Sequence, residues 1–128
     1  MDSSTYSRSV QVRFEDGAGL LTVSFQGVVN RSDLDAGLAK IRNATQGRDV
    51  NAVIIDARQS TPAYAPADLI ESVEQTLDEI APKRCAFVSG EARAEALMLI
   101  ETVSFPYAVR VQAFSAVDAA RDWVNAAL

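Results

Sequence analysis

The sequence predicts a single α/β domain in which a mixed five-stranded sheet packs against about four helices. Two segments near the start alternate apolar and polar residues, as half-buried strands do, whereas later apolar runs are continuous, as in strands covered on both faces. Between these runs apolar residues recur at helical spacing. We therefore expect the order ββαβαβαβα, with an antiparallel N-terminal hairpin followed by parallel strands.

The N-terminal hairpin is predicted from Val10–Phe14 and Leu21–Phe25, in which every second residue is apolar. The residues between them, Asp16–Gly19, are of the types that make turns. A helix is expected next, because Ser32 and Asp35 have the three-residue spacing of a capping box. Its buried side is expected to carry a stripe at helical spacing: Leu34, Leu38, Ile41 and Thr45.

The middle of the chain predicts a buried strand, a loop and a second helix. Ala52–Ile55 is continuously apolar and ends at Asp56, and we expect Arg58–Ala65 to form a loop. Pro66 suits the first turn of a helix, where its missing N–H costs nothing. The residues expected to face inward from this helix are Leu69, Val73, Leu77 and Ile80.

The same helix carries an acidic outer surface, which includes Glu71, Glu74 and Asp78. We consider two interpretations of these three residues. They form either an ordinary solvated surface or a face that docks a basic partner.

The last part of the chain predicts a second buried strand, Cys85–Val88, and a helix from about Glu91 to Val103. We expect a final strand at Tyr107–Phe114. A closing helix is expected after it, because Ser115 and Asp118 repeat the capping-box spacing.

The predicted third helix contains four consecutive large apolar residues, Leu97–Ile100. Successive helical residues are about 100 degrees apart, so these side chains surround the helix axis and one sheet cannot cover all of them. Together with the apolar residues just beyond, they are candidates for a binding surface. The candidates are Leu97, Met98, Phe105 and Tyr107. The alternative is that they pack in the core.

The composition excludes several classes of enzyme. The 128 residues include no histidine and one cysteine, Cys85, so histidine-based triads, cysteine proteases and zinc hydrolases are excluded. No metal site and no cofactor is indicated. Cys85 is expected to be a small buried apolar residue, because it lies within a predicted strand.

The charge and the N-terminus suggest a cytoplasmic protein. The net charge is −5, which does not favour nucleic acid. No apolar run approaches the roughly 18 to 20 residues that cross a bilayer. Residues 1–8 are polar, so they are expected to be a flexible N-terminal segment rather than a secretory signal, and residues 9–128 to be one domain.

Four stretches resemble the STAS domain, and within it the SpoIIAA-like group. They are Val53–Arg58, Arg84–Val88, Val109–Phe114 and Ala120–Trp123. The resemblance covers the chain from about residue 9. It implies a binding or regulatory module, related to lipid-binding CRAL-TRIO-type folds that are associated with apolar ligands and membranes.

One departure from the STAS pattern concerns phosphorylation. Partner-switching STAS proteins carry an Asp-Ser-Ser-Gly-type motif at the start of the helix after the central strand. Here Pro62–Asp68 has no serine at that point, and Ser60 and Thr61 lie earlier as the only substitutes. The resemblance therefore does not imply a phosphorylation switch of the usual form.

The end of the central strand supplies a second group of candidate binding residues: Asp56, Arg58, Ser60, Thr61 and Tyr64. Parallel strands of α/β folds place functional groups at this end. For Asp56 the alternative is a carboxylate that stabilises a turn, and for Ser60 and Thr61 it is a hydroxyl bonded to its own loop.

We expect a non-catalytic STAS-like module that docks a partner protein or an apolar small molecule. The sequence is compatible with a monomer and with a homodimer. One alternative is a lipid or fatty-acid binding protein with peripheral membrane contact. The other is a small enzyme that uses Asp56, Arg58 and Tyr64.

Overall fold

The helices and strands follow the order that the sequence predicts. The computed structural model describes residues 8–90 and 94–126. The strands are β1 (Val10–Glu15), β2 (Leu20–Val29), β3 (Ala52–Pro62), β4 (Arg84–Val88) and β5 (Arg110–Phe114). The helices are α1 (Arg31–Thr45), α2 (Pro66–Glu79), α3 (Ala94–Ser104) and α4 (Val117–Asn125), and a short 3-10 helix spans Phe105–Tyr107.

The five strands form one mixed sheet in the order β1-β2-β3-β4-β5. β1 and β2 are antiparallel, and each later pair of neighbours is parallel. The predicted fold class is confirmed. The hairpin turn ends at Gly19, whose φ is +63° and where an added Cβ would lie 2.5 Å from Nδ2 of Asn51. A side chain at this position would therefore strain the backbone and require the side chain of Asn51 to move.

One face of the sheet is covered by α1, α2 and α3. Its buried residues include Leu21, Val53 and Cys85, which pack with Ile41 of α1 and Leu77 of α2. Single-helix connections between neighbouring parallel strands are right-handed, so successive helices lie on the same face.

The opposite face is covered by α4. The alternate strand residues point to this side, and Leu20, Ile54 and Ala86 pack with Ala120 and Val124 of α4. The central strands are therefore buried on both faces, as their continuous apolar runs predict.

The predicted loop at Arg58–Ala65 is wrong, because β3 continues through Pro62. Residues Gln59–Pro62 pair with Gln26–Val29 of β2, beyond the ends of β1 and β4. Most residues of this two-stranded extension are exposed, and its β3 part consists of residue types that are common in loops, namely Gln59, Ser60, Thr61 and Pro62. Only residues 63–65 connect β3 to α2.

The capping box predicted at Ser32 and Asp35 is also wrong, because α1 begins two residues earlier. Oδ1 of Asn30 accepts a hydrogen bond from the backbone N–H of Asp33 at 3.0 Å, and Oδ2 of Asp33 accepts one from the N–H of Asn30 at 2.9 Å. This pair satisfies two of the N–H groups that the start of the helix leaves without partners. The predicted buried stripe of α1 is confirmed.

Three further boundaries differ from the sequence prediction. Tyr107 belongs to the 3-10 helix rather than to the last strand, because Ala108 adopts a left-handed conformation and β5 begins only at Arg110. α4 has Ala116 as its N-cap and no side-chain cap, so the predicted box of Ser115 and Asp118 does not form. Residues 1–7 and the predicted helix start at Glu91 lie outside the described residues.

Two substitutions at the start of α1 test whether Asn30, rather than Ser32, is its N-cap. Asn30→Ala is expected to lower the free energy of unfolding by about 1 kcal/mol, because the side-chain acceptor is lost. The matched control Ser32→Ala should stay within about 0.5 kcal/mol of the wild type. Urea unfolding measures both, and a Ser32→Ala loss equal to that of Asn30→Ala would contradict the structure.

Candidate functional site

The face of the sheet under α1, α2 and α3 contains a partly open cavity of about 110 Å³. The sheet contributes Val23, Val53, Ile55 and Phe87 to its wall. The helices contribute residues from their inward faces, among them Leu34 and Leu38 of α1, Leu69 and Val73 of α2, and Ala96 and Ile100 of α3. The cavity therefore lies between the buried side chains of this face of the sheet and the inward sides of the three helices.

Apart from the thiol of Cys85, the polar side-chain groups of the cavity wall are hydroxyls. They belong to Ser60, Tyr64, Ser72 and Thr76, and none of the described residues that line the cavity is charged. Thr76 donates its hydroxyl hydrogen to the backbone oxygen of Ser72 at 2.8 Å, and Ser60 donates to the backbone oxygen of Ala57 at 3.0 Å. The wall thus combines a large apolar surface with a few uncharged hydrogen-bonding groups, which is typical of small-molecule sites.

Cys85 also lines the cavity. Burial raises the pKa of its thiol to about 12, so the thiol stays protonated at neutral pH. A protonated, buried thiol is a poor nucleophile, and Cys85 acts here as a small apolar wall residue.

Ser72 and Thr76 are the cavity residues that the sequence prediction missed. The predicted inward stripe of α2 contained Leu69, Val73 and Leu77. Ser72 and Thr76 lie three and seven residues after Leu69, which is the same side of the helix. Two hydroxyl residues at inward positions of an amphipathic helix are the signal that was present in the sequence.

Asp56 and Arg58 lie on the other side of the sheet. Nε and Nη2 of Arg58 donate to the two carboxylate oxygens of Asp56 at 2.9 and 2.8 Å. This bidentate contact holds the pKa of the Asp56 carboxyl below its ordinary value, mainly through the side-chain hydrogen bond. A carboxylate held in this way is a weak proton acceptor.

An irregularity in β3 separates the Asp56–Arg58 pair from Ser60. Three steps in β3, from Asp56 to Gln59, match two steps in β2, so β3 contains one extra residue. The extra residue shifts the alternation of side chains, and Ser60 returns to the cavity face together with Ala57. Tyr64 lines the cavity as well, whereas Thr61 is exposed on the extension.

The candidate residues after the central strand therefore divide between two faces. Asp56 lies on the same face as Ile54, which α4 covers, and Tyr64 lies in the cavity on the opposite face. The arrangement does not bring Asp56, Arg58 and Tyr64 to one point.

Much of the candidate acidic face of α2 contacts other parts of the chain. Nη2 of Arg31 binds Oε1 of Glu71 at 2.9 Å and Nη1 of Arg31 binds Oδ1 of Asp68 at 2.8 Å, so α1 is attached to the start of α2. Asp78 accepts a hydrogen bond from the hydroxyl of Tyr107 at 2.7 Å, which raises the pKa of Tyr107. Glu74 is exposed.

The residues of the apolar candidate segment differ in exposure. Ile100 is buried with Ala57 and Phe87, and Leu97 packs against this cluster. Met98 is 59% exposed and Phe105 is 83% exposed. The four consecutive apolar residues of α3 thus point both inward and outward, as their spacing predicts.

Neither a metal site nor a membrane-spanning helix is found in the part of the chain that the structure describes. Residues 8–90 and 94–126 contain no group of three acidic or cysteine side chains close enough to hold a metal ion. Among the same residues, no helix has the length and apolar character needed to span a bilayer.

Substitutions on the two sides of α3 test whether one side is exposed and the other is buried. Met98→Gln is expected to change the free energy of unfolding by less than about 0.5 kcal/mol, because the side chain already contacts water. Ile100→Gln should lower it by about 3 kcal/mol, because it removes buried apolar contacts and buries an amide. Urea unfolding measures both changes, and equal losses at the two positions would show that Met98 is a core residue.

A solved structure with a similar fold is that of an uncharacterised protein of the DUF3478 family, with a SpoIIAA-like fold, from Shewanella loihica PV-4. The TM-score is 0.63 at 13% sequence identity, and the match covers 90% of this chain and 91% of that chain. No protein-family profile and no curated protein matches the sequence. The similarity concerns the fold alone. The chain has a SpoIIAA-like fold, as the resemblance predicted.

Proposed function

We propose that the protein is a non-catalytic STAS-like binding module that takes a small apolar ligand into the cavity between its sheet and helices α1, α2 and α3. The observation that carries this proposal is the cavity itself, with its apolar wall and its few uncharged hydroxyls. Protein interiors are otherwise packed closely, with few voids larger than a water molecule. A void of this size and composition supports a binding role.

The volume limits the ligand. Pockets that enclose drug-sized molecules measure roughly 300 to 1,000 Å³, and an engineered apolar cavity of about 150 Å³ in another protein binds benzene. The 110 Å³ cavity is therefore suited to a molecule of about benzene size or smaller, or to the end of a longer one. This favours a small apolar ligand over a carrier that encloses a complete fatty acid.

The placement of the titratable groups supports a binding role rather than catalysis. The Asp56 carboxylate is held by Arg58 on the other face of the sheet, and the thiol of Cys85 is kept protonated by burial. A ligand in the cavity would meet hydroxyls and carbon atoms. These groups bind and orient a molecule, but they are poor acids, bases and nucleophiles at neutral pH.

Docking of a partner protein through α3 is the second candidate function. It is favoured by the exposure of two large apolar side chains, Met98 of α3 and Phe105 of the 3-10 helix that follows it. If this surface docks a second copy or another protein, Met98→Gln should weaken association without a loss of stability. This readout is independent of cavity binding.

A cavity-filling substitution tests the principal proposal, with benzene as the probe. Val73→Phe adds a ring to the wall and is expected to abolish binding. Val28→Phe is the matched control, because Val28 is 64% exposed on the β2–β3 extension and does not line the cavity. At a benzene concentration about ten times Kd, the wild type and Val28→Phe should gain about 1.4 kcal/mol, or roughly 4 to 7 °C in Tm.

Differential scanning calorimetry with and without benzene gives the result. The proposal is supported if the shift occurs in the wild type and in Val28→Phe and is lost in Val73→Phe. It is contradicted if benzene shifts no variant, or if Val73→Phe retains the full shift while remaining folded.

A further inference from the structure

We infer that the cavity selects an electrically neutral ligand that carries one hydroxyl or carbonyl oxygen. This inference rests on the proposed function and specifies the chemical class of its ligand. It comes from two observations, namely the absence of charge from the described wall and the hydrogen-bonding state of Ser72 and Thr76 on α2.

The first observation excludes ionised ligand groups from the interior. None of the described lining residues is charged, so a buried carboxylate or ammonium would have no counter-ion. Transfer of an unpaired ion from water to an apolar site is far more costly than transfer of a neutral group. The nearby charges of α2 do not compensate, because Asp68 and Glu71 bind Arg31 on the side of α2 that faces α1 and solvent.

The second observation defines the neutral polar group. Thr76 uses its hydroxyl hydrogen in the bond to the Ser72 backbone oxygen, so its remaining lone pairs can only accept. Within the described residues the Ser72 hydroxyl forms no hydrogen bond, so it can both donate and accept. The two residues are four apart on one helix and therefore lie side by side.

A ligand oxygen at this position can satisfy both residues. A hydroxyl on the ligand can accept from Ser72 and donate to Thr76, and a carbonyl can accept from Ser72. A purely apolar ligand leaves the Ser72 hydroxyl without a partner once water is displaced, which lowers its affinity. The geometry therefore favours a short alcohol or carbonyl compound over a hydrocarbon or an acid.

Three probes of equal chain length test the charge selectivity: 1-pentanol, pentanoate and pentylammonium. Titration of the isotope-labelled protein at pH 7.5, followed by NMR, should give an affinity for 1-pentanol at least about 10-fold higher than for either ion. Pentanoate should bind more tightly as the pH falls toward its own pKa, because the neutral acid form then becomes populated.

A hydroxyl deletion tests the hydrogen bond. Ser72→Ala should weaken 1-pentanol binding by about 2- to 10-fold, which corresponds to one hydrogen bond, and should leave benzene binding unchanged or tighter. Ser32→Ala is the matched control, because Ser32 is exposed on α1 and lies outside the cavity. It should leave the affinity for both probes unchanged.

The outcomes separate the inference from the proposed function. If benzene does not bind, the proposed function fails, whatever 1-pentanol does. If benzene binds but pentanoate binds as tightly as 1-pentanol, the cavity still binds apolar molecules and the inference of neutrality is overturned. If Ser72→Ala weakens benzene and 1-pentanol equally, the assignment of Ser72 to the ligand oxygen is overturned.

Discussion

The long parallel pairing of β2 with β3 is the constraint on which the rest of the structure depends. These two strands are the longest in the sheet, and their pairing runs past the ends of β1 and β4. One residue separates the end of β2 from α1, and three residues separate the end of β3 from α2, so both helices begin at the far end of the extension. The contacts of Arg31 with Asp68 and Glu71 then hold the two helix starts together. The helices must cross the sheet from this common origin, and the space beneath them is the cavity.

The cavity exists because small or polar residues occupy positions where bulk would fill it. Ala57 of β3, Ser72 of α2 and Ala96 of α3 all line it. For closed cavities left by core substitutions in another protein, each Å³ cost about 24 cal/mol; because this cavity of 110 Å³ is partly open to water, about 2 to 3 kcal/mol is an upper bound on its cost. That is a large fraction of the roughly 5 to 15 kcal/mol by which domains are stable. A chain that retains such a void gives up stability at this place, as binding sites commonly do.

The sequence predicts the fold well, because its strongest signals come from burial. The hairpin, the central strands and the stripe of α1 alternate or recur with the correct period, and all of them are present. The errors fall where burial is weak. Gln59, Thr61 and Pro62 are exposed and Ser60 is only half-buried, so this strand segment has no apolar pattern. Asn30 and Ser32 are both good capping residues, and only tertiary structure decides that the helix begins at Arg31. The cavity has a different cause again, since it arises from missing side-chain volume between elements distant in sequence. The sequence signal for the cavity is limited to Ser72 and Thr76, two hydroxyl residues on the otherwise apolar inward side of α2.

The most direct test of the account is a crystal structure of the protein determined under xenon pressure. Xenon enters apolar cavities of this kind without requiring a specific hydrogen bond. The account predicts xenon density between the sheet and α2, in contact with Val53, Val73 and Phe87, with the wall little moved from its position in the unpressurised crystal. A structure in which side chains fill this space and xenon binds elsewhere or not at all would contradict the account.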